Sequence, residues 1–283
     1  MKKISKEAKL RYNDRIKEYK TIIEAINLIC KELDTKIKSK PEEGNYERLK
    51  LANENLNLLS YYILMNSLSL SLLGIKNEGF LNEARKCYYK SIICLEEIVT
   101  PYVDSPFSDY EEGLLSVQDY SDEDRHELVC KLGYSFDSVK EGFGENSKWR
   151  WSFVELEGRF AAITKNLINM KTFIAKLDPR VEGYSKRLAH LNLAQRLLQQ
   201  TADKYREKYE LSSLNLEDMR KALIFLSALK RIHILLGEVE KAEVVKKKIE
   251  VWKMKLESDQ LRLEQASRKA KVSRAAEKKG ARK

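Results

Sequence analysis

Residues 16–33 read IKEYKTIIEAINLICKEL, and the spacing of their apolar members decides the fold. Ile16, Tyr19, Ile22, Ile23, Ile26, Ile29, Cys30 and Leu33 recur at steps of three and four, which places them on one face of a helix while Lys and Glu fill the other. The pattern extends over residues 4–38 and breaks at Ser39–Gly44, where Pro41 and the acids after it suit the first turn of a second helix. That helix is predicted over about 43–75 and a third over about 81–99, closed by Thr100 and Pro101. Gly and Pro number only 11 and 4 in 283 residues, well under half the usual share, so turns are few and sheet-based folds are excluded.

The second half repeats the pattern. Helices are predicted over about 147–177, from an Asp178 N-cap and Pro179 to about 211, from Asn215 to Leu236, and from Glu238 to Leu263. Helices of thirty residues run about 45 Å, so the expectation is an all-α, elongated antiparallel bundle of long helical hairpins. Residues 101–147 stand apart, with two of the four prolines, four of the eleven glycines and many aromatics. They predict a loop-rich, acidic insertion holding one short helix, about 122–131, opened by a Ser121–Asp124 capping box. The expected organisation is therefore 1–100 as N-terminal hairpins, 101–147 as the insertion, 148–263 as a C-terminal bundle and 264–283 as a basic tail without fixed structure.

Charge is polarised along this layout. The whole chain carries +10, and residues 262–283, with nine cations and two anions, supply +7 of it. Between Asp104 and Glu127 nine acids face one cation, Arg125. Such polarity favours oriented contact with other macromolecules. The charged start of the chain is no secretory signal, and the four cysteines form no CxxC pair, with Cys87 and Cys94 about 10 Å apart by helical rise. A cytoplasmic location is expected, or a periplasmic one if a leader has been removed. Asn55–Ile75 is a run of 21 uncharged residues, long enough to cross a bilayer, but seven of them are Asn or Ser. A helix buried among partners explains that mixture better than membrane insertion.

At two junctions the residues resemble tetratricopeptide repeats. Leu68 and Ile75 lead into Gly79, Leu81, Ala84, Tyr88 and Ser91, and Leu226, Leu229 and His233 lead into Gly237, Val239, Ala242 and Ile249. The resemblance covers about a quarter of the chain and implies TPR-like hairpins, in which a small Ala lets helices approach and Gly turns the chain. The Ile-, Lys- and Asn-rich long helices around a central wedge of loops also look similar to helical accessory proteins of spirochaete flagella, including coiling proteins.

Motifs of catalysis are fragmentary. His126-Glu127-Leu128-Val129-Cys130 begins like a zinc motif but has Cys130 where a second His belongs. Gly142-Phe143-Gly144 precedes a helix without the strand or the Gly-Lys-Ser/Thr of a phosphate loop. Asp119, Asp122 and Asp124 lack the central Gly of a calcium loop. No catalytic, cofactor or metal residues are assigned, and the chain is expected not to be an enzyme. Phe107, Tyr110, Tyr120, Trp149 and Arg150 are the expected protein-interaction residues, because exposed aromatics and Arg dominate such contacts. Arg268, Lys269, Lys271, Arg274, Lys278 and Lys279 are the expected anion or nucleic-acid contacts. The leading expectation is an adaptor or scaffold for a protein partner, with self-association open. Its rivals are a nucleic-acid-associated protein acting through the tail and a structural subunit of a motility apparatus.

Overall fold

The computed structural model describes residues 4–144 and 147–280, with side chains described as far as residue 267. Among these residues it is all α, with ten helices and no strand. The chain forms two compact units, Met1–Leu197 and Leu198–Lys283.

The first unit opens with α1 (Lys6–Ser39), α2 (Asn45–Leu73) and α3 (Glu78–Glu96). Ser5 caps α1 by accepting the Ala8 N–H at 3.0 Å, and Ile16, Ile23, Ile26, Leu33 and Ile37 form its buried face on α2. Helix α2 touches α1, α3 and α5, so its apolar residues are not confined to one stripe. By length and composition α2 could cross a membrane, and a third of its most apolar window is buried. Its buried polar residues are tied to backbone. Asn55 donates to the Leu51 carbonyl at 2.8 Å, Ser69 donates to that of Ile75 at 2.8 Å, and buried Asn66 accepts the Asn77 N–H at 2.9 Å. The turn glycine of the α2–α3 hairpin is Gly74, at φ 67°, and not Gly79, which lies inside α3 after the Asn77 cap.

Residues 101–121 are irregular apart from a 3₁₀ turn (Phe107–Asp109) and α4 (Glu111–Leu115). The expected loop-rich insertion ends there. Helix α5 (Asp122–Phe143) starts at the predicted capping box but continues far past residue 131, because Leu132, Phe136, Val139 and Phe143 keep the buried spacing. Gly142 is not a turn residue: a Cβ there would lie 2.5 Å from Leu81, so the glycine admits α3 against α5. Phe136 joins Tyr88 of α3 to Phe153 and Phe160 of α6 (Arg150–Asn166), with ring centroids 5.8, 6.1 and 6.5 Å away.

Two other boundaries differ from expectation. The predicted 147–177 helix breaks after Asn166, and Asn169 caps a separate α7 (Met170–Ala175) by accepting the Thr172 N–H. Asp178 does not start the next helix. It accepts from the Arg180 N–H at 2.9 Å and pairs with the Arg180 guanidinium in a turn, and α8 (Tyr184–Lys208) follows Gly183 at φ 78°.

The division between units falls within α8. Beyond it, a π-helical turn (Tyr209–Ser213) leads to α9 (Leu216–Leu235) and α10 (Val239–Gly280). Tyr205 stacks on Phe225 at 5.7 Å, and Leu226, Leu229 and Ile232 of α9 are buried, as are Ala242, Val245, Ile249 and Trp252 of α10. Gly237, at φ 71°, turns this hairpin as its position predicts. Residues 264–280, expected to lack fixed structure, continue α10 as helix. Ala, Lys, Arg, Glu and Gln keep helical propensity even where no apolar stripe remains.

Backbone approaches closely at Gly113 of α4, where a Cβ would sit 1.8 Å from the Ile98 carbonyl oxygen. Gly113→Ala should therefore destabilise the protein by about 1–3 kcal/mol, read as a lower urea midpoint at unchanged slope. An unchanged midpoint would show that α4 does not rest on the backbone after α3.

Candidate functional site

A cleft of about 710 Å³ lies within the first unit. Leu114, Leu115 and Tyr120 form one wall, Phe173 and Lys176 another, and Val181–Gly183 a third. Two buried arginines hold these walls. Arg125 donates from Nε to the Tyr120 carbonyl at 2.9 Å, from Nη1 to that of Leu167 at 3.1 Å and from Nη2 to that of Val117 at 2.9 Å. Burial pulls its pKa down, with Asp122 opposing, but a guanidinium stays charged in proteins. Arg187 donates to Asp122 at 2.9 Å and to the carbonyls of Glu182 and Lys176 at 2.6 and 3.1 Å.

His190 sits behind them, 4% exposed, with Nε2 2.8 Å from the Thr164 carbonyl oxygen. A carbonyl only accepts, so Nε2 carries the proton. Burial pulls the imidazole down to about 4, against a weaker raising effect of that hydrogen bond. At neutral pH the ring is a neutral donor fixed to backbone. Arg125, Arg187 and His190 thus serve to position chain segments.

The expected interaction residues separate into two places. Tyr120 is half-buried in the cleft wall, and burial raises its phenol pKa. Tyr110 is a correction: it is 4% exposed, packs edge-on against Phe107 at 5.5 Å and carries Lys165 over its ring at 5.5 Å. It is a core residue, anchoring residues 100–110 together with Asn166, which donates to the carbonyls of Thr100 and Tyr102 at 3.0 and 3.1 Å. Phe107 is half-buried under Lys171, which also pairs with Glu111 at 2.6 Å. Trp149 and Arg150 lie beyond the far end of α5. Trp149 is half-buried between Arg85, 4.0 Å above its ring, and Phe143, and Arg150 stacks on Trp151 at 4.6 Å. A helix of 22 residues separates Tyr120 from Trp149 by about 30 Å, so one small ligand cannot touch both.

Four of the nine acids of 104–127 hold cations or a helix cap. Asp122 holds Arg187, Glu123 faces Lys186 at 3.2 Å, Glu111 holds Lys171 and Asp124 completes the α5 cap. Cys130 lies one turn from His126, Sγ to Nε2 3.5 Å, and burial raises its thiol pKa, which disfavours the thiolate that binds metal. No group of three metal-ligating side chains occurs among the described residues. Sequence reasoning missed Arg125 and Arg187 as organisers of the cleft. The available signal was a single cation among nine acids. The side chains of Arg268, Lys269, Lys271, Arg274, Lys278 and Lys279 lie outside the described residues.

The family model of the TP0443 family matches residues 8–260. No curated protein and no solved structure matches the chain.

The His190 geometry gives a pH dependence. Above pH 6.5 the ring is neutral folded or unfolded and contributes nothing; between 6.5 and about 4 the unfolded chain binds the proton first, so stability falls as pH drops, by at most about 3 kcal/mol. His190→Gln retains a donor toward Thr164 and does not titrate. Its stability, followed by denaturant melts from pH 7 to 4, should decline less steeply than that of wild type. Parallel curves would show that the folded-state ring titrates normally.

Proposed function

The chain belongs to the TP0443 family, and from that premise we propose that it is a noncatalytic helical adaptor or scaffold that receives another protein at the cleft beside residues 107–121. One observation carries the reading. The buried ionisable groups of the cleft, Arg125, Arg187 and His190, are bonded to the chain's own backbone, while its rim presents Leu115, half exposed, with Tyr120 and Val181. Groups locked in this way supply no nucleophile or proton carrier, since such a group must reach a reacting atom. A rigid wall with apolar and aromatic side chains at its edge suits a non-obligate protein interface, where a few large side chains dominate and polar groups surround them.

The hairpins support a TPR-like reading of the scaffold. Ala84, Tyr88 and Ser91 on α3 are fully buried, as the repeat's second helix requires, and Ala242 and Ile249 on α10 are buried beside a glycine turn. Several helices exceed repeat length, so the likeness extends to hairpins and not to a regular array.

A second reading rests on the +7 charge of residues 262–283, which favours contact with nucleic acid through the tail. It requires affinity that falls steeply with salt and disappears when 262–283 are deleted.

The scaffold reading is tested with a partner captured from native lysate, purified and titrated. Leu115→Asp and Tyr120→Ala should each weaken binding about tenfold, equivalent to about 1.4 kcal/mol, and Trp149→Ala should leave it unchanged. Binding indifferent to both cleft substitutions would overturn the assignment. Loss of all binding with the tail, or on nuclease treatment, would favour the second reading.

A further inference from the structure

Helix α10 carries two apolar stripes. The inner one, Ala242, Val245, Ile249 and Trp252, is buried within its own unit. The other holds Val244, Val251, Met254 and Leu261, at 67%, 58%, 61% and 57% exposure. Their spacing of seven, three and seven residues is that of heptad positions a and d, with Val244 at a. At 100° per residue this stripe lies roughly 170° around the helix from the buried one.

The charges flanking the exposed stripe are ordered by sign. Every g position, Glu243, Glu250, Glu257 and Glu264, is acidic, and the e positions Lys248, Lys255 and Arg262 are basic. In a parallel two-stranded coil each g faces the e five residues on in the other helix. Glu243, Glu250 and Glu257 then meet Lys248, Lys255 and Arg262 of a second copy. In an antiparallel pair g meets g and e meets e, which sets Glu against Glu and cation against cation. The pattern therefore complements itself in the parallel orientation alone. Arg262 is 79% exposed and only 3.8 Å-close to Asp259, whereas Lys248 is 31% exposed and held by Asp203 at 2.6 Å. Complementarity is most available toward the C-terminal part of the stripe.

The surface there is also shaped for it. Met254, Glu257, Ser258, Leu261, Arg262 and Gln265 line a shallow groove of about 430 Å³. In a parallel coil the first four surround an incoming a side chain and the last four an incoming d side chain. Small Ser258 leaves the space. Valine at a with leucine at d favours two strands.

We propose that the exposed a/d face of α10 is a parallel homodimer seam, occupied by α10 of a second copy. Lys247, Ser258 and Gln265 interrupt its apolar character, which makes the dimer reversible. The inference rests on this surface and not on the scaffold reading.

Sedimentation equilibrium of the full chain across a concentration series tests it. A reversible monomer–dimer equilibrium is expected, and Leu261→Asp should raise its dissociation constant at least about tenfold. Glu257→Lys should weaken it as well, by facing Arg262, and adding Arg262→Glu in the same chain should restore it. Because these side chains are exposed, circular dichroism should show unchanged helix content in each variant. In a Cys130→Ser background, Ser258→Cys should form a disulfide between the two introduced thiols under oxidised glutathione, since equivalent a positions meet only in a parallel pair. A monomer at every concentration, a dimer insensitive to Leu261→Asp, or a charge exchange that fails to restore association would overturn the proposal. A dimer lacking the 258–258 link would overturn its orientation.

Discussion

A buried guanidinium organises the middle of this chain. Arg125 reaches three carbonyls, those of Val117, Tyr120 and Leu167, and so fastens the irregular segment before α5 to the end of α6. Taking a cation out of water costs several kcal/mol, and here charge-assisted bonds to carbonyl oxygens offset it. Those carbonyls belong to turns and helix ends, where backbone acceptors lack helical partners. Arg187 plays the same part on the facing wall, bridging Asp122 to the carbonyls of the 176–182 turn. The cleft exists because two cations satisfy backbone that no helix satisfies.

Much of the fold is written in local pattern. The three- and four-residue apolar spacing of α1 and the caps at Ser121 and Asn215 mark real helices, because they are decided within a few residues. What was not legible depends on contacts distant in sequence. Gly142 reads as a loop residue until Leu81 of α3 is placed against it. Asp178-Pro179 reads as a helix start until Arg180 folds back on Asp178. The candidate site follows the same rule. Tyr120 was identifiable as an aromatic in an acidic segment, whereas the burial of Tyr110 required knowing that Lys165 and Asn166 would pack on residues 100–110. Aromatic residues grouped together by sequence alone are divided by the length of α5.

The polar interior is mostly devoted to structure. In the second unit Asp218 accepts from Lys208 and Ser213, Tyr209 donates to Asp259, and His233 pairs with Glu238. The first unit offers a firm cleft with an apolar edge, and the second offers a helix whose outer face carries ordered charge. Both support the adaptor reading proposed above, and both are built from long helices that need few turns.

The central claim is that residues 107–121 form a fixed wall held from below by Arg125. Hydrogen–deuterium exchange of the full native chain tests this most directly. The amides of Leu114, Ser116, Gln118 and Tyr120 donate to carbonyls within the segment, and the account predicts that they exchange slowly, with protection falling selectively in Arg125→Lys while α1 is unaffected. Exchange of these amides at free-chain rates in the wild-type protein would contradict it.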